Sequence, residues 1–228
     1  MTTPHHVGLM VPINNTTMEN ELVSYLPAQS TCQTKKIPRG QGMLTRDTIP
    51  AYKAQALEIA QQFVGQPIDL LAYGCTAASF LSGPQEDTEL SERLAALLGK
   101  PVVTTAQSMV KALLANQTHR IALVTPYLDE VNQQLKNYLA QSDIEVVSFD
   151  SLRAADVIAL GRITSEEVAA IAHQVMNDDC EAMFIACSQL PTQNILQSLS
   201  QSFNRPVFSS IQATAWNARQ QLESQCHG

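Results

Sequence analysis

Two cysteines fall where chemistry could be done. Cys75 follows the apolar run Ile68–Tyr73, and Cys187 closes the run Ala182–Ala186. Small polar residues come next in both cases, as Cys75-Thr-Ala-Ala-Ser and Cys187-Ser-Gln. At the carboxyl end of a parallel strand, a turn into a helix offers free backbone N–H groups and the positive end of a dipole. That environment binds a carboxylate and lowers a thiol pKa. Two opposed thiols can hold a planar substrate carbon between them. One serves as thiolate base or nucleophile, the other as thiol acid, and no cofactor is required. Cys32, Cys180 and Cys226 lack such a counterpart and are read as incidental.

Other polar residues at strand ends support an anion pocket. The loop after the first strand reads Val11-Pro-Ile-Asn-Asn-Thr-Thr-Met-Glu19. Within it, Asn15 could aim an amide donor at a carboxylate, while Thr16 or Thr17 could N-cap a helix starting near Met18. The matching loop in the second half, Val124-Thr-Pro-Tyr-Leu-Asp129, offers the Tyr127 phenol at the mouth of the same cleft. The substrate-contacting set read from these turns is Pro12, Asn15, Thr76, Ala77, Tyr127 and Ser188, with Cys75 and Cys187 as the reacting pair.

The elements that must carry these residues are short strands alternating with longer helices. The strand candidates are Val7–Val11, Ile68–Tyr73, Val102–Thr104, Ile121–Thr125, Glu145–Phe149, Ala182–Ala186 and Val207–Ser209. Most lack polar alternation, as strands buried on both faces of a parallel sheet do. Helical patterns cover Thr48–Phe63, Leu90–Leu98, Ala106–Leu114, Asp129–Leu139, Ser165–Met176, Thr192–Ser202 and Thr214–Glu223. In the fifth of these, Ser165 reads as N-cap before acidic Glu166 and Glu167. The fold class is α/β.

The chain also reads as duplicated. Val7-Gly-Leu-Met-Val-Pro12 lines up with Ile121-Ala-Leu-Val-Thr-Pro126. Asp69-Leu-Leu-Ala-Tyr-Gly-Cys75 lines up with Glu181-Ala-Met-Phe-Ile-Ala-Cys187, and Lys100-Pro-Val-Val with Arg205-Pro-Val-Phe. The expectation is two similar parallel-sheet α/β domains related by a pseudo-two-fold axis, with the active site in the cleft between them.

Composition narrows the function classes. The 228 residues are 45% apolar and only 15% charged, which argues against intrinsic disorder. With 14 Lys and Arg against 21 Asp and Glu, the net charge is −7. No basic stripe attracts a phosphate backbone, so nucleic acid is not an expected partner. No apolar run approaches the roughly 20 residues of a membrane helix. The Met-Thr-Thr-Pro-His-His start lacks the basic and apolar parts of a secretory signal, so the expected location is the cytoplasm with reduced thiols. The glycosylation triplets at Asn14, Asn15 and Asn116 then carry no meaning. No Cys-x-x-Cys or His-Glu-x-x-His spacing indicates a metal. The expected partner is a small carboxylate substrate, with a homo-oligomer left open.

Val11-Pro-Ile-Asn-Asn-Thr-Thr-Met-Glu19, Tyr73-Gly-Cys-Thr76, Val124-Thr-Pro-Tyr127 and Ala186-Cys-Ser-Gln189 resemble the aspartate/glutamate racemase superfamily. The nearest branch is maleate cis–trans isomerase, with arylmalonate decarboxylase close by. The resemblance spans essentially the whole chain. It implies two four-stranded parallel domains, residues 1–103 plus 211–228 and residues 104–210, and cofactor independence. It also implies that Cys75 is the nucleophile and Cys187 the acid/base, with Asn15 and Tyr127 binding carboxylate. The decarboxylases carry glycine where this chain has Cys75, which argues against simple decarboxylation. Val157 stands where maleate isomerases have a substrate-binding asparagine, and the loop Ile37-Pro-Arg-Gly-Gln-Gly42 differs from theirs. Both departures leave the physiological substrate open.

The expected activity is cis–trans isomerisation of a small unsaturated dicarboxylate through a covalent cysteine adduct. Racemisation by two-base proton transfer uses the same residues and stays as the alternative. Less favoured are an arylmalonate-decarboxylase-like enzyme and a two-lobed small-anion binding protein, which leaves the paired cysteines unexplained.

Overall fold

The computed structural model describes residues 3–40 and 42–225. Cys226 lies outside them. Two four-stranded parallel sheets form the frame. The first has the order β2-β1-β3-β4, from β1 (His6–Pro12), β2 (Thr31–Ile37), β3 (Leu70–Tyr73) and β4 (Val102–Thr104). The second repeats that order as β6-β5-β7-β8, from β5 (Arg120–Thr125), β6 (Glu145–Ser151), β7 (Ala182–Ile185) and β8 (Val207–Ser209). The repetition extends to side chains at the strand starts. Asp69 accepts the His6 N–H at 2.7 Å, and Glu181 accepts the His119 and Arg120 N–H groups at 2.6 and 3.0 Å.

The central strands β3 and β7 are buried at every position, which is why their sequences are unbroken apolar runs. The strand absent from the sequence reading is β2. It sits at a sheet edge, only its last residue is buried, and its sequence Thr-Cys-Gln-Thr-Lys-Lys-Ile has no apolar periodicity.

Helices join the strands in chain order: α1 (Met18–Ser24), α2 (Ile49–Ala60), α3 (Thr76–Ser82), α4 (Pro84–Leu98), α5 (Thr105–Ala115), α6 (Asp129–Ala140), α7 (Val157–Arg162), α8 (Ser165–Val175), α9 (Leu196–Phe203) and α10 (Ser210–Gln225). The α8 N-cap is Thr164, one residue before the expected Ser165. Its hydroxyl accepts the Glu167 N–H while the Glu167 carboxylate accepts its own, a reciprocal capping box. Helix α9 starts at Leu196 rather than Thr192, because Thr192 is held elsewhere. Both its N–H and its hydroxyl are given to the Glu21 carboxylate, at 2.8 and 2.9 Å.

Helix α10 returns to the first sheet. Ile211, Ala215, Ala218 and Leu222 join Val7, Leu9, Leu70, Ala72 and Val103 in one apolar cluster. It also packs along α5, where Asn217 donates to the Ser108 hydroxyl at 3.0 Å. The carboxyl ends of β1, β3, β5 and β7 surround a common space, lined by Pro12, Cys75, Tyr127 and Cys187 in turn.

Candidate active site

Cys75 owes its position to Gly74. The Gly74 N–H donates to the Met10 carbonyl at 2.7 Å, drawing the end of β3 against β1. A Cβ at residue 74 would stand 2.6 Å from Met18 Sδ and 2.8 Å from Val11 Cγ1. No side chain fits such a gap. Cys75 then adopts an extended conformation as the N-cap of α3, which brings the first-turn Ala77 and Ala78 N–H groups near its sulfur without a geometric capping bond.

Cys187 is placed differently. Its own N–H donates to the Ser210 hydroxyl at 3.1 Å, and its sulfur accepts the Gln189 N–H at 3.4 Å. No helix begins there, since residues 188–190 form a turn. The helix-dipole argument made for both cysteines therefore holds at Cys75 alone.

Both sulfurs border one small cavity of about 40 Å³, room for about three water-sized groups. Pro12, Asn15, Thr76, Ala77, Tyr127 and Ser188 line it as well. Val157 does not. It starts α7, and the wall there is Leu160, one turn further on. Residues three apart share a helix face, and the later one reaches the cavity. The sequence reading also missed Arg39, Met43 and Leu44, which enter from the loop after β2, and Leu128, Val131 and Gln189. The signal for the loop was present in Ile37-Pro-Arg-Gly-Gln-Gly42, a lone cation among turn residues.

Asn15 is more tightly engaged than a free amide donor. Its Oδ1 accepts the Thr17 and Met18 N–H groups at 3.1 and 3.0 Å, and so caps α1. Thr17 holds the N-cap position, one of the two residues expected there, but its side chain makes no capping bond and Asn15 supplies the acceptor. Its Nδ2 donates across the cleft to the Ser188 carbonyl at 3.0 Å. Further bonds repeat the crossing. Ser188 Oγ donates to the Gly74 carbonyl, Thr17 Oγ1 to the Gln189 carbonyl, and Gln189 Nε2 to Thr16 Oγ1. The turn that carries Cys187 is thus strapped to the first half.

Tyr127 is not at the cleft mouth but inside, 2% exposed, with its ring edge-on to Phe80 at 5.5 Å. Ser151 Oγ donates to its carbonyl and Asn132 Nδ2 does the same, which fixes the turn. Its hydroxyl and that of Tyr52 are buried without a hydrogen-bond partner. Tyr52 stands beside Cys75 and Tyr127 beside Cys187. Tyr127 lines this cavity and Tyr52 a neighbouring hollow, so each cysteine has a phenol beside it.

Burial sets the protonation states. It pushes the Cys187 thiol up to about 11, offset in part by the Gln189 and Leu190 N–H groups and the Tyr127 hydroxyl. Charge on Cys75 raises it further. Burial also raises Cys75, against the lowering effects of the Ala78 N–H, the Arg39 charge, the Tyr52 hydroxyl and the Ala77 N–H. The lowered thiol pKa expected from the strand-end position is absent here, because desolvation outweighs the local donors. A thiolate on either sulfur holds the other as thiol, so the pair carries at most one negative charge. Among the described residues no three His, Cys, Asp or Glu side chains gather as a metal site. No helix among them is long and apolar enough to cross a membrane.

The family model described as arylmalonate decarboxylase matches residues 7–228. The chain belongs to that family. Among curated proteins, it is 26% identical to a maleate isomerase of Geobacillus stearothermophilus, over 95% of this chain and 91% of the relative. Among solved structures, an alanine variant of a Pseudomonas putida maleate isomerase with maleate has a TM-score of 0.90 at 23% identity, over 97% of this chain and 93% of that one. A serine variant of the Nocardia farcinica maleate cis-trans isomerase with a covalently bound succinylcysteine intermediate has a TM-score of 0.89 at 24% identity, over 97% and 94%. These structures share the fold, with its two parallel sheets.

Proposed function

We propose that this chain is a cofactor-independent cis–trans isomerase of a small unsaturated dicarboxylate, acting through a covalent adduct on Cys75. The observation that carries the reading is the pair of cysteines at equivalent strand ends, both bordering one small cavity edged by backbone N–H groups. The succinylcysteine intermediate of the Nocardia farcinica relative supports the adduct.

The steps follow from the donors. Cys75, the sulfur with a helix N-terminus and a cation beside it, attacks the alkene carbon as thiolate. The C–S bond forms, and the π electrons move onto the neighbouring carboxylate as an enediolate. The first-turn N–H groups of α3, Asn15, Tyr127 and the turn at Ser188 stabilise that charge where it develops. Cys187, held as thiol, delivers a proton to the adjacent carbon. The former double bond is now single and rotates. Cys187 takes a proton back, the C–S bond breaks, and the trans alkene is released. Nothing is oxidised or reduced, and both thiols return to their starting states. Pro12, Thr76 and Ala77 shape the floor that keeps the reacting carbon planar between the sulfurs.

The test is intact-mass analysis after incubation with maleate and with 2-substituted cis-diacids such as citraconate. Adduct is expected in wild type or Cys187→Ser and not in Cys75→Ser, whose hydroxyl is almost never ionised at neutral pH. Solvent deuterium placed at a carbon alpha to a carboxylate, with symmetric loss in both variants and no alkene isomerisation, would establish the racemase instead.

A further inference from the structure

Arg39 is the one charged side chain that lines the cysteine cavity among the described residues. It arrives from the loop after β2, apart from the strand-end turns that edge the rest of the cavity. Its head is anchored by Nη2, which donates to the Gly42 carbonyl at 2.5 Å. Its Nε is buried and has no hydrogen-bond partner. Among the described residues, no carboxylate pairs with it. A guanidinium turned into a cavity with a buried N–H unmatched is costly unless an anion completes it. Its planar fork fits a carboxylate with two parallel bonds.

The surroundings say which anion. Asn15, Thr76 and Ser188 at the strand ends give polar lining, and the buried Thr76 hydroxyl has no partner. Met43, Leu44 and Leu160 add apolar lining. Where the resemblance implies a polar substrate contact, at the start of α7, this chain has Val157 and no polar replacement. A diacid whose first carboxylate meets the strand ends therefore has a single charged group left for its second. Met43, Leu44 and Arg39 also border a larger adjoining hollow of about 570 Å³. A substituent on the substrate carbon has space on that side.

We infer that Arg39 is the receptor for the substrate's second carboxylate, and that the Met43, Leu44 and Leu160 wall beside it accepts an apolar substituent. The site then selects dianionic substrates over their half-amides. This rests on the dicarboxylate reading above and adds the residue that enforces it. Arg39 also lowers the pKa of Cys75, so substrate binding and thiolate formation draw on one charge.

The experiment measures protection of Cys75 from iodoacetamide, followed by peptide mass, with succinate and with succinamate as unreactive probes. Wild type should need about 10- to 150-fold less succinate than succinamate for half-protection, the size of a lost charged hydrogen bond. Arg39→Gln should erase that ratio. Arg39→Lys, which keeps the charge, should retain part of it. If Arg39 merely ties down its loop, the Gln and Lys variants will lose affinity for both probes together and keep the ratio, and the inference fails. It also fails if wild type shows no preference. Maleate turnover is scored separately. Isomerisation with the ratio unchanged in Arg39→Gln overturns the Arg39 assignment alone. A ratio erased as expected without isomerisation overturns the isomerase and leaves the receptor standing. No protection by either probe overturns both.

Discussion

Replacing Asn15 with Ala removes four side-chain hydrogen bonds of two kinds. The two bonds from the Thr17 and Met18 N–H groups to Oδ1 start α1, and losing a cap costs about 0.5–2 kcal/mol. The bond from Nδ2 to the Ser188 carbonyl is buried, with Asn15 only 3% exposed. Leaving that carbonyl unmatched costs about 1–3 kcal/mol. Together these come to about 1.5–5 kcal/mol. For a chain of 228 residues, each kcal/mol moves the melting temperature by about 2–4 °C. Differential scanning calorimetry should therefore find Asn15→Ala melting about 3–20 °C below wild type. Asn15→Asp separates the two parts. Its carboxylate still caps α1, favourably placed at a helix N-terminus, but at neutral pH it has no donor for Ser188. It should fall between wild type and Asn15→Ala at pH 7. A melt of Asn15→Ala within 1 °C of wild type would refute the idea that Asn15 straps the two halves. Equal losses in both variants would assign the whole effect to the crossing bond, and an Asn15→Asp melt equal to wild type would assign it to the cap.

Tyr127→Phe deletes a buried hydroxyl that has no partner without substrate, so thermal stability should hold or rise slightly while dicarboxylate affinity falls by about 10-fold or more. Unchanged binding in a protection titration would remove Tyr127 from the site. Gly74→Ala forces a methyl to within 2.6 Å of Met18 Sδ and should cost about 1–3 kcal/mol, with Cys75 displaced and adduct formation slowed. Partial rescue by Met18→Ala is the control, and a Gly74→Ala melt equal to wild type would rule out the close approach. Asp87 is fully buried and accepts from Thr104, and burial raises its carboxyl to about 6. The folded state holds that proton more tightly than the unfolded chain. This group's contribution is thus present below about pH 4 and lost as pH rises through 6, about 3 kcal/mol in all. Denaturant titrations at pH 4, 5, 6 and 7 should show a flatter profile for Asp87→Asn, and parallel profiles would contradict the assignment.

The buried strands were legible because burial on both faces leaves a one-dimensional trace, an unbroken apolar run such as Leu70–Tyr73 or Ala182–Ile185. The duplicated order and the two strand-end cysteines could be read for the same reason, since each is a local pattern repeated along the chain. Edge strand β2 left no such trace, because its exposed side is free to be polar. The α9 start was misread because Glu21, distant in sequence, takes the Thr192 N–H and hydroxyl.

At the site, residue types and strand-end positions named Cys75, Cys187, Asn15 and Tyr127 from the sequence alone. Their working environment came only with the tertiary structure. Burial, which sums atoms from every element packed around a group, turned both thiols toward protonation and drew Tyr127 inside. The crossing bonds from Asn15 to Ser188 and from Ser188 to Gly74 span separations that no local pattern encodes. Val157 and Leu160 differ by one helical turn, and which of them meets the cavity depends on where α7 lies against the sheets. Sequence determines what each residue can do. Desolvation and the distance to a partner decide which of those capacities is used, and both are properties of the packed chain.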